Sequence, residues 1–132
     1  MAEYELPESL RYSREDEWAR VEGERVVVGV TDYAQQQLGD VVFVELPELG
    51  AQVSQGDPFG VVESVKTVSD LYAPVSGEIV GVNGDLAETP EAVNEDCYGD
   101  GWMIAIAPAA ADEFEALLSS QDYLQHVKDR ED

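Results

Sequence analysis

Gly, Pro, Asn and Asp recur along this chain at intervals too short for most helices, and between them lie runs rich in Val, Ile, Phe and Tyr. Such punctuation forces short strands joined by tight turns. Residues 18–22 and 25–30 flank Glu22-Gly23-Glu24, which reads as a hairpin connection. Residues 41–46 form a β-branched, aromatic run closed by Pro47, and residues 52–53 precede the turn Gln55-Gly56-Asp57-Pro58. Strands then follow at 59–65 and 68–72, before Pro74, and at 77–82, which runs into Asn83-Gly84-Asp85. A last strand over 102–107 stops at Pro108.

Two segments break this pattern. Thr31-Asp32 supplies an N-cap, Tyr33 to Leu38 are tolerated or favoured in a helix, and Gly39 supplies a C-terminal stop, so a short helix is expected there. From residue 110 onward, Phe114, Leu117 and Leu118 recur at helical spacing, and Ser119 with Asp122 resembles a capping box for a final helix through Val127. Gly56-Asp57 and Gly84-Asp85 echo one another on either side of Lys66. The expectation is one mainly β domain over residues 1–132. It is a flattened barrel or sandwich of two similar halves, with short helices inserted and at the C-terminus.

Charge narrows the function. Seven Lys and Arg stand against 29 Asp and Glu, a formal net charge of -22. Nucleic acid needs clustered cations and anionic membranes repel such a surface, so both are excluded as main partners. The acids are spread along the chain, not gathered in a tail. Their spread, with few lysines, is the surface expected of a protein from a halophile's cytoplasm, kept folded by screening. Cys97 is the only cysteine, which rules out an internal disulfide and is expected of an intracellular protein. No signal peptide or membrane-length apolar run is read in the sequence.

Only two lysines occur. Lys128 lies in the polar C-terminal stretch, whereas Lys66 sits between two strand-forming segments in Glu63-Ser64-Val65-Lys66-Thr67-Val68-Ser69-Asp70. A hairpin there would hold the amine in solvent on a stiff stalk, with Glu63 and Asp70 flanking it. That is a setting for covalent attachment. The bland alternative is a surface lysine in a weak salt bridge.

The residues around it resemble a known family. The stretches are Glu17-Trp18, Gly29-Val30-Thr31-Asp32-Tyr33-Ala34-Gln35, and Leu38-Gly39-Asp40-Val41-Val42-Phe43-Val44-Glu45-Leu46-Pro47. Further on come Phe59-Gly60-Val61-Val62-Glu63-Ser64-Val65-Lys66 and Ser69-Asp70-Leu71-Tyr72-Ala73-Pro74-Val75-Ser76-Gly77-Glu78. The last are Val93-Asn94-Glu95-Asp96 and Tyr98-Gly99-Asp100-Gly101-Trp102. Together, across residues 12–123, they resemble the glycine cleavage system H proteins. The resemblance implies a lipoyl-type β-sandwich, or barrel-sandwich hybrid, with Lys66 at a hairpin tip joined by an amide to (R)-lipoate. It implies a non-catalytic carrier in glycine catabolism and one-carbon metabolism. Its partners would be glycine decarboxylase with pyridoxal phosphate, the aminomethyltransferase with tetrahydrofolate, dihydrolipoamide dehydrogenase with FAD and NAD, and a lipoate-attaching enzyme. It also implies a cleft where the loaded arm folds back, for which Glu17, Leu38 and Asp70 are the candidates.

Two positions depart from the family pattern. Asp16 stands where histidine usually precedes the Glu-Trp pair, and a fixed anion there would add to the attraction for a cationic arm. Cys97 stands in a place often filled by proline. A biotinyl carrier is the nearest rival, but Val65 and Thr67 replace its usual flanking methionines. A small enzyme finds no support, because Cys97 and His126 lack an activating base, oxyanion motif or phosphate loop. One Cys and one His do not make a zinc site, and residues 94–101 lack EF-hand spacing. An unmodified interaction module is the remaining rival.

Overall fold

Alternation of side chains fixes the architecture. Along β3 (Arg25–Val30), Val26, Val28 and Val30 face one cluster while Val27 faces another, as period two requires. The same split holds on β2 (Glu17–Glu22) for Ala19 against Trp18, and on β9 (Ile104–Pro108) for Ile104 and Ile106 against Ala105. These central strands are thus buried on both faces. The computed structural model describes residues 4–131.

Among the described residues, nine strands form two antiparallel sheets. The larger runs β1 (Arg11–Tyr12), β2, β3, β9, β8 (Gly77–Val82) and β5 (Gln52–Val53), and the smaller runs β4 (Val41–Glu45), β6 (Pro58–Ser64) and β7 (Val68–Tyr72). The main core fills the space between them, with Val28, Ile79, Ile104 and Ile106 from one sheet meeting Val44, Val62 and Leu71 from the other. This is the mainly β sandwich that the strand pattern implies. The second cluster lies on the outer face of the larger sheet. There Trp18, Tyr12 and Val27 are covered by Tyr123 and Val127 of α4 (Ser120–Glu131), and Tyr12 stacks on Tyr123 at 5.0 Å. Bare Gly29 makes room for the indole, since a Cβ there would fall 2.8 Å from Trp18 Cε2.

The inserted helix α1 (Asp32–Leu38) begins as expected, with Thr31 Oγ1 accepting from Ala34 N at 3.1 Å, and ends at Gly39 with φ 77. The C-terminal region differs from the periodic reading. Helix α3 covers only Ala111–Glu115, because Leu118 leaves the helical path to exchange both main-chain hydrogen bonds with Tyr12, at 2.9 and 2.8 Å. Ser119 does cap α4, its Oγ accepting from Asp122 N at 3.2 Å. The two Gly-Asp turns prove unlike one another: Gly56 takes φ 88 in a turn, whereas Gly84 opens a 3-10 segment over Gly84–Ala87. β1, that segment and α2 (Ala92–Glu95) carry too little periodicity to be read from the sequence. No helix among the described residues is long and apolar enough to cross a membrane.

Candidate functional site

Lys66 stands in the connection between β6 and β7, beyond the last ladder pair, Glu63 with Val68. Ser64 organises the turn. Its Oγ accepts from Lys66 N and from Thr67 N, both at 3.1 Å, and its main-chain N donates to Thr67 O at 2.8 Å. The tip is braced from behind, where Val65 N donates to Asp40 O at 3.0 Å. Asp40 is in turn held between two bonds from Asn94, whose Nδ2 donates to Gly39 O and whose Oδ1 accepts from Val41 N, each at 2.8 Å. The stalk expected for the lysine is therefore a braced turn.

The Lys66 side chain is exposed and enters no ion pair among the described residues, so neither Glu63 nor Asp70 binds it. It lies instead across the end of α1, with Cε close against Gly39. An exposed, uncommitted primary amine on an immobilised turn fits acylation by a carboxylic cofactor. Val65 and Val68 beside it are 68% and 60% exposed, an apolar collar unusual on so charged a surface.

The residues of α1 lead from that lysine into a cleft of about 260 Å3. Glu17, Leu38 and Asp70 all line it, so the three arm-cleft candidates share one cavity. Leu38 and Val62 form apolar wall, and Asp70 sits exposed on β7 at the rim. Glu17 is different: it is 1% exposed and links the two sheets. Its Oε1 accepts from the Ser13 hydroxyl at 2.6 Å, and its Oε2 accepts from Tyr72 N at 3.1 Å. Burial pushes its carboxyl up to about 8, against the opposing pull of those hydrogen bonds. Burial therefore favours the protonated carboxyl, and a cation brought beside it would favour the anion.

Asp16, expected to add free negative charge, is already matched. Arg130 Nη1 donates to its Oδ2 at 3.1 Å, Nη2 donates to Oδ1, and the Tyr123 hydroxyl donates to Oδ1 at 2.7 Å. Arg130, Tyr33 and the partners of Glu17 are cleft features that the sequence reading missed. Three arginines fall within the first two dozen residues and Arg130 alone in the final helix, a position that gave it no signal. Cys97 is buried with its thiol pushed up to about 12 by desolvation, so it presents no thiolate to a dithiol at neutral pH. His126 is half-buried, its Nε2 3.1 Å from Arg14 O.

Comparison with known proteins agrees with this geometry. The family model described as "Glycine cleavage H-protein" matches residues 10–130. A glycine cleavage system H protein of Anaeromyxobacter sp. (strain K) is 54% identical over 127 residues, covering 96% of this chain and 99% of the relative. That of Anoxybacillus flavithermus is 56% identical over 122 residues, covering 92% and 96%. The crystal structure of a glycine cleavage system H protein from Mycobacterium marinum superposes with a TM-score of 0.86 at 40% identity, covering 93% of this chain and 99% of that one.

Proposed function

Because this chain belongs to the glycine cleavage H-protein family, the lipoyl carriers of the glycine cleavage system and not themselves catalysts, we propose that Lys66 is its point of lipoate attachment. The observation that carries this is the braced, exposed turn on which Lys66 is held free of any ion pair among the described residues. When attached, the dithiol of lipoate supplies reversible thiol chemistry and a place to carry an aminomethyl group. The chain's own part is to position. Ser64 and Asp40 hold the root of the arm, and Gly39 leaves it a path along α1. Leu38 and Val62 keep water from the cleft, while Asp70 and Glu17 offer oxygen to a cationic end. Tethering at one lysine raises the local concentration of that end at each partner in turn.

The partners in this reading are glycine decarboxylase, the tetrahydrofolate-dependent aminomethyltransferase, dihydrolipoamide dehydrogenase and a lipoate-attaching enzyme, all met in the cytoplasm. The strongly acidic surface supports a salt-rich interior there. Peptide mapping of protein from its native source tests the attachment: a lipoyl mass is expected on Lys66 and none on Lys128. Lys66→Arg should abolish glycine decarboxylation in a reconstituted system. A biotinyl mass at Lys66, or an active Lys66→Arg variant, would overturn the reading.

A further inference from the structure

The mouth of the cleft already contains a cation supplied by the chain itself. Arg130 lies over the Tyr33 ring, with its Cζ 4.9 Å from the centroid, while its two terminal nitrogens grip the Asp16 carboxylate. A carboxylate beside an aromatic face is a combination that attracts organic cations in general. Asp16 is also aimed, not merely present. It takes φ 78, its main-chain N donates to Ser13 O and its O accepts from Thr31 N at 3.0 Å. A relay of bonds runs from Ala34 N to the Thr31 hydroxyl, then to the Tyr123 hydroxyl, then to Asp16. With Arg130 withdrawn, that relay still points the carboxylate into the cleft.

Withdrawal leaves the core in place. α4 is fastened by Tyr123 and Val127, both fully buried, and the positions after Val127 are exposed up to Arg130. Fraying the final turn frees the guanidinium without unpacking the core.

We propose that Asp16, oriented by the Tyr123 hydroxyl, and Tyr33 form a cation seat that Arg130 occupies while the arm is uncharged and yields to the terminal ammonium of a charged arm. The inference rests on the reading of Lys66 as the arm's root. Tyr33 lies six helical residues from Gly39, about 9 Å along the axis, so an arm several methylenes long spans the gap. The exchange also balances. One cation replaces another beside Asp16, so the exchange leaves the charge beside that carboxylate unchanged. Arg130 thereby distinguishes a charged arm from a neutral one: only the former offers Asp16 a substitute.

The test needs no lipoylation. Lys66→Cys is alkylated with an iodoacetamide bearing a long aminoalkyl chain, or with its N-acetylated, neutral counterpart, and both are followed by NMR in the folded full-length chain. With the cationic chain, the Arg130 guanidinium signals should lose their protection from solvent exchange while Tyr33 and Leu38 shift. With the neutral chain, Arg130 should stay protected. In the Arg130→Ala background the seating equilibrium constant of the ammonium should rise about fivefold, since a competitor is removed. Asp16→Asn should abolish the seating while leaving the fold, judged by the Tyr12 and Trp18 signals, intact. Arg130 remaining protected while Tyr33 and Leu38 shift would overturn the exchange, as would lower seating in Arg130→Ala. Neither result bears on Lys66 as attachment point, which the peptide map decides separately.

Discussion

Lys66 rests on Gly39: a Cβ built at the glycine would stand 2.9 Å from the lysine Cε. Gly39 also takes φ 77 and ψ -156, a backbone region essentially confined to glycine. One residue thus ends a helix and clears a bed for the Lys66 side chain. Gly39→Ala should cost about 1–3 kcal/mol in denaturant unfolding, nearly all of it backbone strain because the lysine tip can swing aside. A variant as stable as the parent would contradict this assignment.

Asn94 should matter more than its half-buried position implies. Asn94→Ala removes bonds to Val41 N, Gly39 O and Gln35 Oε1 at once, leaving a main-chain donor and acceptor unmet. A loss of about 2–3 kcal/mol is expected. Amide shifts at Val65 and Lys66 should accompany it, since Asp40 braces that turn. Shifts confined to α1 and α2 would show that the brace is independent of Asn94.

Glu17 ties stability to pH. In the folded chain its carboxyl keeps its proton up to about pH 8, whereas an ordinary glutamate releases it near 4.5. Between those values the folded state holds the extra proton, so stability falls as pH rises. Glu17→Gln keeps hydrogen-bonding groups for Ser13 and Tyr72 without ionising. Relative to this variant, the parent should lose about 1–3 kcal/mol between pH 5 and pH 8. Parallel stability profiles for the two would show that Glu17 ionises normally.

Asp70 should reveal itself in function and not in folding. It is exposed on β7 at the cleft rim. Asp70→Asn should leave stability within about 0.5 kcal/mol of the parent. It should speed loss of the aminomethyl group from the loaded carrier roughly threefold, through a weaker hold on the arm's cation. An unchanged rate of loss would remove Asp70 from the cleft's role.

Salt should stabilise the chain. Among the described residues, only Glu22 and Asp16 supply carboxylates to ion pairs, leaving most of the 29 acidic groups to repel one another. Raising salt to about 1 M shortens the screening length to about 3 Å. The melting temperature should climb accordingly, and a fall in molar potassium chloride would count against a salt-adapted surface.

Local chemistry was the legible part of this fold. Thr31 and Gly39 announced α1, and alternating valines announced β3, because caps and period-two burial are written in adjacent residues. Leu118 was misread as helical because what claims it is Tyr12, over a hundred residues away. The same limit applied to the cleft. Glu17, Leu38 and Asp70 came from motif resemblance, and the structure brings them into one cavity. The proton on Glu17 and the guanidinium on Asp16 arise from burial and from a distant helix, neither visible in sequence spacing.

The larger sheet is bordered on both sides by strands of two residues, β1 and β5. Each border strand itself therefore offers scarcely any main chain for a neighbouring polypeptide to zip onto. Associations on that side must be built from side chains, piecemeal and reversible. For a carrier component of the glycine cleavage system, such borders favour parting as much as meeting.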